Sequence, residues 1–366
     1  MPRTALIVLA AALTASAAFA QENAARPDPS KAAASITVNT APIVHEIELN
    51  APIEKVWEVF TTPEGWKLWG VAKAEIDLRV GGLIRTHYSP KGELVDDGAI
   101  HNQIIAYEPG RVFAWRIAKP PKNLPYQNAV KDVWSVATLT DLGDGRTRLR
   151  LAMCGYTADN ESQKMRAFFD QGNAWSLKKM KDNLEKSLAT TPAANAAVPA
   201  ATPAKQATPA NPLDPIILET TVKATPREVW ECWTTSKGME SFLTRANIDL
   251  RIGGPFEIYF GGDDVPAGQR GSEGCTILSY EPEKMLSFTW NAPPKFGDLR
   301  ARHTWVVLII EPHGPHGSKV TLKHYGFAEQ NAATSGHDAD WKSLREYFAN
   351  AWPTVLTALR QKYEPK

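Results

Sequence analysis

The feature that most constrains this 366-residue chain is an internal duplication. Several short segments recur in the same order, at separations of 172 to 177 residues. A period this long indicates a duplicated domain, because the repeats of solenoid proteins run to only about 20–50 residues. The matched segments are Ala51–Thr62 with Ala224–Thr235, Ile76–Gly82 with Ile248–Gly254, Tyr107–Pro109 with Tyr280–Pro282, Phe113–Trp115 with Phe288–Trp290, and Asn173–Trp175 with Asn350–Trp352.

The N-terminal segment has the pattern of a secretory signal peptide. A basic start at Met1–Arg3 precedes an apolar run from Ala5 to Ala12, and small residues follow as far as Ala20. These features predict a signal peptide over residues 1–20, cleaved near Ala20. The apolar run is shorter than the roughly 20 residues that a spanning helix needs. We therefore expect a periplasmic or secreted protein with no stable membrane span.

Two stretches with few large apolar side chains divide the rest of the chain. Residues 21–38 are rich in Ala, Pro, Ser and Lys, and we expect a disordered leader there. Residues 190–212 are rich in Ala, Pro and Thr and indicate a linker, because such a composition cannot bury a core. These boundaries predict a first domain over residues 39–189 and a second over residues 213–366.

Charge and cysteine usage exclude several classes of function. The chain has 41 basic and 40 acidic residues, so it lacks the electrostatic signature of a nucleic-acid-binding protein. None of the three cysteines recurs in the other copy, which excludes a shared disulfide framework. A bridge between Cys232 and Cys275 stays open, although buried free thiols are favoured. No spacing typical of a zinc site is present, and we expect neither a metal nor a cofactor.

Each copy has the pattern of a strand, a short helix, about six antiparallel strands and a long C-terminal helix. The first strand is Ile43–Leu49 in one copy and Ile216–Val222 in the other, and Pro52 and Pro226 then open the short helix. One sheet and one long helix pack most economically when the sheet curls and the helix lies across its concave face. The predicted fold class is α+β, with two tandem domains, each a curved antiparallel sheet around a long C-terminal helix.

The segment Asp77–Gly82 and its repeat Asp249–Gly254 each end in a pair of glycines, which suits a bulge or a tight bend. Within each segment the aspartate and the arginine stand two residues apart, as Asp77 and Arg79 do in the first copy. Side chains at that spacing share a face of a strand, so we expect an ion pair. An exposed pair of this kind contributes only about 0–1 kcal/mol.

The recurring segments also resemble a known family. The resemblance is carried by Ala51–Trp57, Asp77–Gly82, Tyr107–Pro109, Phe113–Trp115, Gly145–Thr147, Gly155–Tyr156 and Trp175, and by Pro226–Trp230, Asp249–Gly254, Tyr280–Pro282, Phe288–Trp290, Gly326–Phe327 and Trp352. With these segments the chain resembles the activator of heat-shock-protein-90 ATPase homologue branch of the SRPBCC superfamily. The resemblance covers both copies, about four-fifths of the chain.

The resemblance implies a fold more specifically than an activity. It implies the helix-grip fold, shared with START lipid-binding domains, polyketide cyclases and the birch-pollen allergen. The superfamily includes binders, cyclases and hydrolases, so the fold alone does not assign a function. The chaperone activator works in the cytosol of eukaryotes, whereas we expect this chain to be exported, and we assign it no chaperone role.

Strand alternation identifies the side chains that we expect to face a cavity between sheet and helix. They are mainly apolar and aromatic, which suits a hydrophobic small molecule. Most residues with this pattern nevertheless fill a core. The candidates are Tyr88, Phe113, Trp115, Met153 and Trp175 in the first copy, and Phe260, Phe288, Trp290, His324 and Trp352 in the second.

His324 is the candidate with acid–base chemistry. It is in phase with Leu322 and Val320 along its strand, and it stands where the first copy has Met153. A histidine in an apolar cleft can act as an acid or a base, but such a ring is more often a hydrogen-bonded packing residue. No Ser-His-Asp order, nucleophile elbow or phosphate loop accompanies it, so catalytic residues stay unassigned.

Three functions fit this sequence. The favoured hypothesis is an exported protein that binds a hydrophobic or amphipathic small molecule in the cavity between sheet and helix. The second is a cyclase- or hydrolase-type enzyme that uses His324 in a diverged pocket of the second domain. The third is a protein-interaction module. The two copies share no polar constellation, which argues against two equivalent active sites.

Overall fold

The structure, a computed structural model, describes residues 38–190 and 211–364. The chain divides into two compact units, one for each described stretch. The expected signal peptide, nearly all of the expected leader and most of the expected linker lie outside the described residues.

The first unit is a seven-stranded antiparallel sheet with one long helix. The sheet has the strand order β1-β7-β6-β5-β4-β3-β2. A short 3-10 helix at Ala129–Lys131 precedes β6. The strands are β1 (Ile43–Leu49), β2 (Lys73–Ile76), β3 (Leu83–His87), β4 (Ile100–Glu108), β5 (Val112–Lys119), β6 (Trp134–Gly143) and β7 (Arg146–Cys154), and the helices are α1 (Ile53–Thr61), α2 (Pro63–Lys67) and α3 (Asn160–Thr190).

The second unit repeats this order with a divided sheet. Five strands have the order β11-β12-β13-β14-β8, and β9 and β10 form a separate pair. A bridge between Pro255 and Thr276 connects the two parts. The strands are β8 (Ile216–Val222), β9 (Ala246–Ile248), β10 (Phe256–Ile258), β11 (Ile277–Glu281), β12 (Met285–Trp290), β13 (Thr304–His313) and β14 (Gly317–Tyr325); the helices are α4 (Pro226–Thr234), α5 (Ser236–Glu240), α6 (Phe327–Ala332) and α7 (Asp338–Lys362); a 3-10 helix spans Pro294–Ala301.

A proline opens the first short helix of each unit, as the sequence predicts. Pro52 is the N-cap of α1, and Pro226 is the first residue of α4. The fixed backbone of proline and its missing N–H suit this place in a helix. In the second unit, Thr225 and Glu228 add a capping box that satisfies two further backbone N–H groups. The predicted α+β fold is confirmed for both units.

The paired glycines form the expected tight bend. Gly81 has a φ of +84° and Gly253 a φ of +76°. Residues other than glycine rarely adopt such a backbone conformation. The next glycine in each copy is packed against backbone: a Cβ on Gly82 would lie 2.0 Å from the Asp77 carbonyl oxygen. The expected ion pairs are present, at 2.8 Å for Arg79 with Asp77 and 2.5 Å for Arg251 with Asp249.

The strand register corrects one match between the two copies. Tyr107 of β4 lies opposite Phe113 of β5, whereas Tyr280 of β11 lies opposite Leu286 of β12. Because the two tyrosines are equivalent, the Phe-x-Trp segments are shifted by two residues relative to each other. Side-chain alternation hides this shift, since a two-residue step keeps the same face of the strand. The equivalent pairs are Phe113 with Leu286, Trp115 with Phe288, and Ile117 with Trp290.

The long helices show a second shift of two residues. The buried series Leu177, Met180 and Leu184 of α3 has the same spacing as Trp352, Val355 and Leu359 of α7. Leu177 is therefore the counterpart of Trp352. The shared Asn-Ala-Trp segments lie on different faces, since two residues correspond to about 200° of rotation around a helix. On the same alignment, Asn173 is the counterpart of Phe348.

The three cysteines are buried thiols outside any disulfide, so Cys232 and Cys275 form no bridge. Cys232 Sγ contacts the Tyr363 hydroxyl at 3.3 Å and the Lys362 ammonium at 3.2 Å. Burial raises the pKa of Cys275 to about 12, which keeps this thiol protonated. Both cysteines of the second unit therefore act as packing residues.

Candidate functional site

A cavity of about 160 Å³ lies in the first unit between the sheet and helix α3. The middle strands β4 to β7 form its floor, α3 forms its roof, and the segment containing α2 closes one side. The walls are mostly apolar and aromatic. The lining residues are Trp66, Trp69, Ile100, Asn102, Trp115, Arg116, Ile117, Val133, Trp134, Ser135, Leu151, Met153, Phe169, Asn173 and Ser176.

The floor is built from one row of side chains across three strands. Trp115 of β5 lies opposite Ser135 of β6, which lies opposite Met153 of β7. Neighbouring strands are about 4.8 Å apart, so the row spans roughly 10 Å. Above it, Asn173 of α3 approaches Met153, with 3.7 Å between Nδ2 and Sδ. The cavity is the space that these medium-sized side chains leave between sheet and helix.

Two tryptophans form the side wall. The hydroxyl of Thr62 accepts a hydrogen bond from the Gly65 N–H and so caps α2. Gly65 itself is needed because a Cβ there would lie 2.1 Å from the carbonyl oxygen of Glu58. The Trp66 indole N–H donates to the Phe60 carbonyl at 2.9 Å and fixes the ring. Its ring centroid is 6.1 Å from that of Trp69, which continues the wall.

The polar groups in the cavity wall carry no charge. Asn102 is 6% exposed and Ser135 is 9% exposed, and within residues 38–190 no protein group hydrogen-bonds to either side chain. Arg116 alternates with Trp115 along β5 and therefore points to the opposite face of the sheet. There its Nε donates to Gln103 Oε1 at 3.0 Å. The cavity is thus neutral, with an amide and a hydroxyl among its polar groups.

Of the five residues proposed for the first unit, Trp115 and Met153 line the cavity. Phe113 is packed behind Trp115, with 5.8 Å between ring centroids. Trp175 lies outside the lining, and the Lys179 ammonium is 4.9 Å from its ring centroid. The prediction for Tyr88 was wrong: the side chain is 38% exposed, because β3 ends at the preceding residue and the alternation stops there.

In the second unit, four of the proposed residues are packed in the core. The Trp290 and Trp352 ring centroids are 4.9 Å apart, and those of His324 and Trp352 are 5.9 Å apart. Phe288 also belongs to this cluster, with no exposed surface. The prediction for Phe260 was wrong: the side chain is 56% exposed, because β10 ends two residues earlier and its alternation does not extend to this position.

His324 is fully buried, and both of its ring nitrogens are engaged. The Trp352 indole N–H donates to Nδ1 at 3.0 Å. An indole can only donate, so the proton of the neutral ring is on Nε2, which donates to Thr304 Oγ1 at 2.7 Å. Thr304 in turn donates to the Trp290 carbonyl at 2.9 Å. This closed chain leaves no nitrogen for a substrate.

Burial lowers the pKa of His324 to about 3, and the positive charge of Arg345 adds to the effect. The ring is therefore neutral at physiological pH. A general base would need a pKa close to the working pH and a path to the substrate. His324 has neither, and its geometry is that of the hydrogen-bonded packing residue described above.

Side-chain size distinguishes the two units at the residues that correspond to the cavity roof. Phe348 and Trp352 of α7 stand where α3 has Asn173 and Leu177. Both side chains of α7 are buried against the sheet. The second unit thus fills with rings the space that the smaller side chains of the first unit leave.

The sequence pattern missed most of the cavity wall. Alternation selected large rings, whereas the wall also contains polar residues on β4, β6 and α3. One signal of the polar wall was present in the sequence. Asn102 is a polar residue at an inward position of its strand, where the second copy has Cys275. Trp66 and Trp69 belong to a short helical segment, for which strand alternation gives no information.

Within residues 38–190 and 211–364, no group of three His, Cys, Asp or Glu side chains is arranged to hold a metal ion. None of the helices in the same two stretches is long and apolar enough to cross a membrane.

Three solved structures with a similar fold are each only distantly related to this chain. Protein MLL2253 from Mesorhizobium loti is 21% identical with a TM-score of 0.32, and the match covers 40% of this chain and 98% of that one. The Aha1 dimer from Colwellia psychrerythraea is 21% identical with a TM-score of 0.31, covering 40% and 96%. The di-domain ARO/CYC BexL from the BE-7585A biosynthetic pathway is 11% identical with a TM-score of 0.33, covering 89% and 99%. At such TM-scores these similarities carry no argument about function.

Family-level similarity is much clearer. No protein of curated function matches the chain significantly. The family described as Activator of Hsp90 ATPase homolog 1-like protein matches residues 50–185 and again residues 223–361. The two matches together cover about three-quarters of the sequence, and each falls within one of the two compact units. The chain therefore belongs to the Activator of Hsp90 ATPase homolog 1-like protein family, with one copy of the family domain in each half.

Proposed function

We propose that the protein binds a small, largely apolar ring compound in the cavity of its first unit. The observation that carries this proposal is a cavity of about 160 Å³ with aromatic walls. An engineered protein cavity of about 150 Å³ binds benzene. Pockets for drug-sized ligands are about 300–1,000 Å³. The volume therefore favours a single ring over a lipid or a polycyclic compound.

The second unit is proposed to have a filled core at the residues that correspond to the cavity wall and not to be a second site of the same kind. Two of its counterparts of the cavity residues, Trp290 and Phe348, have rings that pack against the ring of Trp352. The enzyme hypothesis relied on His324, whose two nitrogens are both used within the core. Binding by the first unit is thus the function that the geometry supports best.

We further propose that binding takes place outside the cytoplasm. This proposal is supported by the signal-peptide pattern of residues 1–20 alone. Intact-mass measurement of the protein from its own host tests it. We expect a chain that begins at Gln21, and a chain of full length in the cytoplasmic fraction would contradict the proposal.

Filling the cavity tests the binding function. Asn173→Phe places in the first unit the residue found at the equivalent position of the second, Phe348. We expect the full-length protein to bind toluene and Asn173→Phe to lose this binding, because the new ring occupies the ligand volume. Protein-observed NMR titration measures both.

The matched control is Ala174→Phe, which adds the same ring to an exposed position of the same helix. We expect it to bind toluene as the unmodified protein does. Absence of toluene binding to the unmodified protein, or equal binding by Asn173→Phe, would show that the cavity is not a ligand site.

A further inference from the structure

The side chain of Asn102 has an unusual position in the cavity wall. It lies on β4 between Ile84 of β3 and Ile117 of β5, and both of these cross-strand neighbours are apolar. It is 6% exposed, and no protein group within residues 38–190 hydrogen-bonds to its amide. Buried polar side chains are normally hydrogen-bonded. The amide of Asn102 thus borders the cavity without a hydrogen-bond partner in the described part of the first unit, in a side chain that is otherwise enclosed.

An asparagine amide offers two N–H donors and one carbonyl acceptor. A group that both donates and accepts, such as a hydroxyl or a carboxamide, therefore matches it better than a group that does only one. Leaving the amide against a purely apolar ligand would desolvate it without a partner, which is unfavourable. The position of Asn102 thus discriminates among ligands of equal size.

Charge narrows the ligand class further. No ionisable side chain points into the cavity, since Arg116 lies on the outer face and bonds to Gln103. A charged ligand would lose its hydration and gain no counter-charge, which is strongly unfavourable. The ligand must therefore be neutral when it binds.

Asn102 would hydrogen-bond to a ligand at one end of the cavity. Two other wall residues of high burial have a polar group without a protein partner within residues 38–190: Trp69, through its indole N–H, and Ser135, which is on β6, two strands away from β4. Two strand spacings amount to about 10 Å, more than one hydrogen-bonding group can bridge. A ligand group at Asn102 is thus out of reach of Ser135.

We propose that Asn102 is the specificity-determining residue of this site, and that it selects neutral single-ring compounds whose substituent both donates and accepts a hydrogen bond, as a phenolic hydroxyl does. This inference rests on the proposed binding function of the first unit. It adds that the cavity recognises chemistry as well as volume.

Phenol and toluene are suitable probes, because they have nearly the same shape and differ in one hydroxyl. Phenol is also uncharged at neutral pH, since phenolic groups have a pKa of about 10. We expect Asn102→Leu to lower the ratio of phenol to toluene affinity by about tenfold, the effect of one net hydrogen bond to a buried polar partner. Calorimetric or NMR titration of the full-length protein gives the ratio.

A second variant and a control variant distinguish a specific effect of Asn102→Leu from misfolding. Asn102→Cys introduces the residue of the second unit at this position, Cys275, and we expect the same loss of phenol preference. Ala174→Phe, at an exposed position of α3 outside the cavity wall, should leave the ratio within about twofold.

The outcomes separate the two proposals. If both probes bind and the ratio is unchanged in Asn102→Leu and Asn102→Cys, the role of Asn102 is wrong while the binding function stands. The same conclusion follows if ordered water alone satisfies the amide, since phenol then gains nothing over toluene. If neither probe binds, the binding function fails.

Discussion

At the scale of single residues, His324 shows how partners decide the chemistry of a side chain. His324 lies opposite Ile216 in the sheet, as Met153 lies opposite Ile43 in the first unit. A histidine in this apolar setting persists because Trp352 and Thr304 satisfy both nitrogens. These partners are distant in sequence, so the strand pattern predicts an inward ring and gives no information about its hydrogen bonds.

The buried neutral ring makes the stability of the second unit depend on pH. The folded-state pKa, about 3, lies below the ordinary histidine value of about 6.5, so the unfolded chain binds the proton first. Stability is therefore complete above about pH 6.5 and is lost as the pH falls. We expect His324 to account for a loss of about 2 kcal/mol between about pH 6.5 and pH 5. Urea unfolding across this range measures the loss.

His324→Met copies the first unit and removes the titrating ring. We expect this variant to lose less stability on acidification, and to be about 1–3 kcal/mol less stable at neutral pH, because the Trp352 N–H loses its acceptor. His303, whose pKa burial and the Arg300 charge also lower, is present in both proteins and cancels in the comparison. Identical pH dependence in the two proteins would contradict the assignment to His324.

At the scale of elements, the paired glycines were readable from the sequence because backbone geometry is local. The bend needs a positive φ and then a position without a Cβ, and two glycines supply both. The sequence was a poorer guide to which face of each long helix is buried. The identical Asn-Ala-Trp segments face differently in α3 and α7, since packing against the sheet, rather than sequence identity, decides which side of a helix is buried.

Replacing the second glycine of the bend tests its role. In Gly82→Ala the new Cβ would be 2.0 Å from the Asp77 carbonyl oxygen, so the backbone must move. We expect a loss of more than about 1 kcal/mol in the free energy of unfolding. Thermal unfolding of the full-length protein measures it.

Gly172→Ala is the matched control, because a Cβ at this position of α3 meets no atom within 4 Å. A glycine inside a helix is less favourable than alanine, so we expect this variant to gain about 0.5–1 kcal/mol. Similar destabilisation by both replacements would mean that the bend tolerates a side chain.

At the scale of the whole molecule, the duplication was enough to predict two units of one α+β fold. It was not enough to predict the cavity of the first unit. Cavity volume depends on how side chains from β4 to β7 and α3 fill a shared space, and no single segment determines that. Residues such as Asn102 and Asn173 line the cavity only in the folded arrangement of strands and helix, so their role does not follow from their own sequence segments.

Both units contain cysteines, so the oxidation state of the thiols is predicted here for the whole molecule. All three cysteines are buried, and none of them forms a disulfide. We expect a thiol-specific reagent to label none of them rapidly in the folded protein, and to label all three after unfolding without a reductant. Mass spectrometry counts the labels. Finding only one label after unfolding would reveal a disulfide and contradict the free-thiol assignment.

The cavity has a consequence for packing. The side chains that line it lack neighbouring atoms on one side, so they forgo the van der Waals contacts that a filled core would provide. A mutation that enlarged one side chain of the roof would recover some of these contacts, as the rings of the sister domain illustrate. A larger side chain in the roof would thus exchange the volume available to a ligand for closer packing of the first unit.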